Sequence, residues 1–167
     1  MSARLWYSQF DVYDCVRRLG GLLLEWRQPV HLERLYILDF FFANAPLLHR
    51  VTMAADVRSA FRDLEIPKPD KVFLSYPASP LLFHQMESAQ SSALRALAGK
   101  GLLDPDSFSH KSAELSELGS SLFVGIKNRT DSSQETGLAR FLVHQYSASH
   151  DNGMGSLRSS CGLRRSV

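Results

Sequence analysis

The segment PLLFHQMESAQSSALRALAGKGLLDPDSFSHKSAEL, Pro80–Leu115, reads as a helix, a glycine stop and two short strands. Ser79 and Pro80 form a cap and first-turn pair, and a helix from Pro80 to Ala98 turns Leu82, Phe83, Met86, Ala89, Ala93, Leu94 and Leu97 to one side. Gly99 to Gly101 stops it. A hairpin follows, with Leu102 and Leu103 in one strand, Pro105 to Ser109 in the turn, and Lys111 to Leu115 returning with Ala113 and Leu115 inward. Together with the helices before it, this order predicts a mainly α chain: a winged helix-turn-helix-like domain with a small β-hairpin wing and C-terminal helices.

Upstream, Val12, Cys15, Val16, Leu19, Leu22, Leu23 and Trp26 recur at three- and four-residue steps, which makes Phe10 to Trp26 an amphipathic helix. Gly20 and Gly21 mark a weak or closely packed point in it. After Pro29 a second helix, His31 to Asn44, is apolar around more than one face, so it belongs at the centre of a core or against a partner. Pro46 ends it, and a short apolar turn runs on to Val51. A third helix is expected over Ala54 to Leu64, with Val57, Phe61 and Leu64 inward. Next, IPKPDKVFLSYPASP has too many prolines for regular helix, but Val72, Phe73, Leu74 and Tyr76 are too apolar for a solvated linker, so an ordered loop is expected. A fifth helix runs from Ser116 to about Lys127 and a sixth from Gln134 to Ser147. The domain is therefore drawn as residues 1–147, and the Ser- and Gly-rich residues 148–167 as a disordered tail.

At 167 residues and 44% hydrophobic content the chain can bury a full core. Its formal charge of +2 equals the excess of Arg158, Arg164 and Arg165 over Asp151, which leaves the body before them neutral. Neutrality argues against an autonomous DNA binder that works by phosphate neutralisation. Any nucleic-acid contact is expected from the wing-proximal helix and the wing, at Arg95, Lys100 and Lys111. Two cysteines, Cys15 and Cys161, are too few for a disulfide scaffold; with no signal-like or membrane-length apolar run, a cytoplasmic protein is expected.

Catalytic chemistry finds no foothold. The six histidines form no metal-ligand pattern, and His84 with Glu87 reads as a solvated polar face. Around Gly99 and Lys100 a phosphate loop fails, because Leu94 stands where its first glycine is needed and Gly101 where its Ser or Thr is needed. Asp39, inside the apolar second helix, requires a buried partner, for which Arg34 or a backbone group is the nearest choice. No catalytic, cofactor-binding or metal residue is expected, and the chain is read as a non-enzyme.

The order DVYDCVRRLGGLLLEW, RLYILDFFFANAPLL and FHQMESAQSSALRALAGKGLLD with its hairpin resembles the middle-component proteins of bacterial ABC-three-component, Lamassu-like systems. The ILDF run followed by proline and Leu-Leu is the most specific part, and the resemblance covers about Phe10 to Tyr146. It implies a small non-catalytic subunit that joins an SMC/RecN-like ATPase to an effector in anti-phage defence, with DNA contact inside the complex and no membrane. For such an adaptor, the apolar surplus at Leu35, Phe40, Phe41, Phe42, Leu47 and Leu48 is the expected partner-binding surface. The alternative is a winged-helix transcriptional regulator.

Overall fold

The computed structural model describes residues 7–71, 76–151 and 153–167. It is mainly helical. Helix α1 (Val12–Trp26) begins at Asp11, whose side chain accepts the Asp14 amide at 2.8 Å, and ends where Arg27 turns left-handed at φ 55°. Helix α1 is the hub and packs against α2 (Leu32–Ala43), α5 (Glu87–Gly99) and α7 (Glu117–Thr130). Gly20 proves to be a close-packing point. The Phe123 ring of α7 lies where a side chain on Gly20 would begin, 2.0 Å from a Cβ built there.

Helix α2 is apolar all round because it is buried all round. Leu35, Tyr36, Ile37, Leu38, Phe40, Phe41 and Phe42 all lie in the core, so one stripe of polar residues would have had no solvent to face. Its capping residue is His31, whose Nδ1 accepts the Glu33 amide at 3.3 Å. Asn44 closes its other end by donating from Nδ2 to the Phe40 carbonyl at 2.9 Å. A 3-10 segment, Ala45–Arg50, then buries Leu47 and Leu48.

Beyond α3 (Ala55–Asp63), the single helix expected from Pro80 is broken at Met86 into α4 (Ser79–Gln85) and α5. The carbonyl of Phe83, which a continuous helix would offer to the Glu87 amide, accepts from the Arg165 guanidinium. All seven expected inward residues of this segment are nonetheless buried. Of the proline-rich loop's apolar residues, Tyr76 packs on the core, while Val72, Phe73 and Leu74 lie outside the described residues.

The expected hairpin is only partly formed. Pro105–Ser109 is a turn of helix, α6, because Asp104 caps the Ser107 amide at 2.8 Å and Pro105 occupies the first turn. Leu103 and Leu115 make one antiparallel bridge. The return strand β2 (Ser112–Ala113) pairs instead with β1 (Val30–His31), which sits between α1 and α2, in the register Val30 to Ala113. Downstream, α8 (Ser133–Phe141) starts at a capping box of Ser132 and Glu135 and runs into a π-helical segment, Leu142–Ser147.

Residues 148–167 depart from the expected disordered tail. They form α9 (Met154–Cys161), which ends in a left-handed Gly162, and they bury Leu157 and Leu163 completely. Composition misleads here because two leucines and two arginines, each with a distant partner, supply the ordering that the serines and glycines lack. No helix among the described residues is long and apolar enough to cross a membrane.

The two adjacent glycines of α1 give a paired test. Gly20→Ala must displace Phe123 and is expected to lower stability by about 1–3 kcal/mol. At Gly21 a Cβ meets nothing within 4 Å, and Gly21→Ala is expected to raise stability by about 0.5 kcal/mol; urea unfolding of the two variants measures both.

Candidate functional site

The Asp39 carboxylate is completely buried, and α1 and α5 converge on it. Arg18 of α1 donates from Nε to Oδ1 at 2.7 Å and from Nη2 to Oδ2 at 3.3 Å, a forked pairing of two charges out of water. Gln90 of α5 donates from Nε2 to Oδ2 at 2.8 Å, and the Cys15 thiol lies 3.6 Å from the same oxygen. Arg18 reaches back to Asp14 at 2.5 Å and to the Ser8 carbonyl at 3.1 Å. The partner is thus one helix earlier than expected. Arg34 turns instead to Ser147 and to the His150 carbonyl.

Burial opposes the Arg18 charge, but Asp39 outweighs it and the guanidinium pKa is raised. The same burial, reinforced by the Asp39 charge, pushes the Cys15 thiol far up and favours its protonated form.

Gln90 extends this chain to the C-terminal segment. Its Oε1 accepts from Arg165 Nη1, so one amide joins the Asp39 carboxylate to a second buried guanidinium. Arg165 also lies over the Phe83 ring at 3.9 Å and near the Tyr36 ring at 5.1 Å. Burial lowers its pKa against the opposing pull of Glu87, Tyr36 and Asp39. Its backbone amide donates to Glu33 Oε1 at 3.0 Å, and the same carboxylate receives Arg158 Nε at 2.9 Å. Burial would raise the Glu33 pKa, yet these donors hold it below the ordinary value. Such a chain fixes helices relative to one another. Among the described residues no group of three or more His, Cys, Asp or Glu could hold a metal ion.

The expected partner-binding residues are corrected by the structure. Leu35, Phe40, Phe41, Phe42, Leu47 and Leu48 are all buried in the chain's own core. Phe40 packs edge-on against Phe83 at 5.6 Å and Phe41 against Tyr146 at 5.9 Å. The cover for this apolar surplus comes from α4 and the π-helical segment, through Phe83 and Tyr146.

Of the expected nucleic-acid contacts, Arg95 stands exposed on α5 in a shallow depression of about 410 Å³, lined also by His84, Gln85, Glu87, Ser88, Ser91 and Ser92. Gln90, on the same helix, points inward. Lys100 is exposed at the C-terminal cap of α5. Lys111 is exposed after α6, and its Nζ donates to the Val167 carbonyl oxygen at 2.6 Å. A second depression, with Arg164 and Ser166 on its wall, adjoins the first at His84 and Glu87, so the C-terminal segment borders the α5 face. Sequence reading missed the exposed apolar side chains of α7, Leu118, Leu122 and Val124. The signal was present: Leu118 and Leu122 lie four apart, off the line of the inward Gly119 and Phe123.

A family model described as ABC-three component (ABC-3C) system Middle Component 5 matches residues 4–166. No curated protein and no solved structure matches the chain.

Removing the Asp39 charge without changing its shape leaves the buried Arg18 with Asp14 as its ionic partner. Asp39→Asn is expected to cost about 3 kcal/mol in urea unfolding, and a loss below about 1 kcal/mol would mean that Arg18 is compensated elsewhere. For Glu33 the lowered folded pKa means that its stabilisation is complete above the ordinary value of 4.5 and is lost as pH falls through the folded value. Glu33→Gln should therefore flatten the acid limb of the melting temperature against pH.

Proposed function

The chain belongs to the ABC-three-component Middle Component 5 family, and we propose that it is the non-catalytic adaptor joining an SMC/RecN-like ATPase to the effector of a cytoplasmic anti-phage complex. The observation that carries this reading is the extent of the family match, which runs through the buried polar chain and the C-terminal helix alike. A part that works by holding two others needs a rigid body and an accessible face. The Asp39 network supplies the first, and the solvent-facing side of α5 supports the second, with Ser88 and Arg95 exposed on it and Lys100 exposed at its end.

DNA contact inside the complex rests on the same face, where Arg95, Lys100 and the neighbouring Arg164 outnumber Glu87. Three cations are a small phosphate footprint, of a size that assists a clamp rather than one that binds alone.

A second reading, a winged-helix transcriptional regulator, has one observation in its favour. The order α1, β1, α2, then α5, Leu103 and β2, with β2 bonded to β1 and Leu115 bridged to Leu103, supports the reading of a winged helix with α3 and α4 inserted. The fold can serve either purpose.

Tagged chain expressed with its neighbouring genes is expected to retain a large coiled-coil ATPase through a moderate-salt wash, and Arg95→Glu with Lys100→Glu should weaken DNA retention by the assembled complex while the subunits stay together. Recovery of the chain alone, with a salt-sensitive and sequence-dependent shift of operator DNA, would replace the adaptor reading with the regulator.

A further inference from the structure

We propose that the segment Leu163–Val167 is a displaceable strap that holds one helix broken, and that its release lets α4 and α5 join into a single helix from Ser79 to Gly99. The sequence of this stretch suits the joined form. Leu82 and Phe83, Met86, Ala89 and Gln90, Ala93 and Leu94, and then Leu97 are buried at steps of three and four that stay in phase across the break. No proline or glycine stands between Leu81 and Ala98, and no side chain caps the start of α5. Met86 lies in the right-handed helical region, at φ −77° and ψ −11°. It is about 30° in one torsion from regular helix. What is missing there is the bond from the Glu87 amide to the Phe83 carbonyl, and that carbonyl is taken by the Arg165 guanidinium.

The strap is thin and hinged. Leu163 and Arg165 are buried while Arg164 and Ser166 are exposed, and the segment begins after Gly162, which is left-handed at φ 72°. Besides the guanidinium, its polar holds are the Arg165 amide on Glu33 Oε1 at 3.0 Å and Lys111 Nζ on the Val167 carbonyl oxygen at 2.6 Å. Docking takes the Arg165 charge out of water with no carboxylate within ion-pair distance among the described residues, which offsets part of what burying Leu163 gains. On release the guanidinium regains water and the Phe83 carbonyl can accept the Glu87 amide. Both states therefore satisfy that carbonyl, which is what makes them exchangeable. The consequence falls on the exposed face that spans the break. Its depression of about 410 Å³ takes His84 and Gln85 from α4 and Ser88 and Arg95 from α5, so joining the helices re-forms it. Binding to the joined form of this face and docking of the strap then oppose each other reciprocally.

The device goes beyond the adaptor reading and is tested on the purified full chain without a partner, by amide hydrogen exchange read by NMR. In the parent, the Arg165 amide should exchange through a local opening whose rate barely changes in low urea, whereas the buried Ile37 and Leu38 amides follow global unfolding. Lys111→Ala, at an exposed residue, should raise Arg165 exchange about threefold and leave Ile37 unchanged. Arg165→Met keeps an apolar stem between Phe83 and Tyr36 but frees the Phe83 carbonyl. The Glu87 amide should then gain about fivefold or more in protection, the worth of one backbone hydrogen bond, while the Met86 Cα shift moves to helical values. An Arg165 amide that opens only with the whole fold overturns the strap, as does one indifferent to Lys111→Ala. A Glu87 amide no better protected in folded Arg165→Met overturns the joined helix. Should Arg165→Met fail to fold, the urea series on the parent and on Lys111→Ala still decides whether the strap opens.

Discussion

A carboxylate in the middle of the most apolar helix is the constraint around which this protein is arranged. Asp39 cannot be left unpaired at full burial, and each group that answers it fixes a different element: Arg18 orients α1, Gln90 orients α5, and through Gln90 the guanidinium of Arg165 holds the C-terminal segment. An apolar residue at this position could pack as tightly, but it would not dictate which neighbours lie beside it. The ionic chain is thus best understood as specifying one arrangement of α1, α2, α5 and the C-terminal segment rather than as a large source of stability. Arg165 marks the boundary of that logic. Its guanidinium has no carboxylate within ion-pair distance among the described residues and relies on an amide, a carbonyl and two aromatic faces.

Most helices were legible from residue spacing, and their inward positions were legible almost to the residue: Leu82, Phe83, Met86, Ala89, Ala93, Leu94 and Leu97 are all buried. What was not legible has a common cause, which is contact between residues far apart in the chain. The break at Met86 depends on Arg165, and the strand partner of Ser112 and Ala113 is Val30–His31 rather than the neighbouring leucines. Spacing shows that Asp39 needs a partner, but it cannot tell Arg18 on α1 from Arg34 on the same helix. In the C-terminal segment, local composition suggests disorder because the buried Leu157, Leu163 and Arg165 are few, and the partners of Arg165, Gln90, Phe83 and Glu33, lie far away in the chain.

The candidate site followed the same division. Arg95 and Lys100 stand exposed on or at the end of α5, because a polar residue off a strongly amphipathic line has only solvent to face. The apolar residues of α2 were misassigned for the converse reason: a helix hydrophobic on all sides signals burial, and sequence does not say by what. Here the cover comes from the same chain. Contact with the other subunits of an ABC-three-component system is then left to residues outside this buried set.

The buried position of Arg165 also bears on how the protein is made. On a ribosome, α1, α2 and α5 emerge with Arg18, Asp39 and Gln90 already present, yet the last member of their network is synthesised after all of them. Until it arrives, the nascent chain exposes the slot between Phe83 and Tyr36 and leaves the tail's leucine sites unfilled. Closure over such long sequence separations is slow, and the waiting intermediate carries the apolar surface that chaperones recognise. A chain that stops before Arg165 would accordingly leave the Gln90 Oε1 and the Phe83 carbonyl without their buried donor.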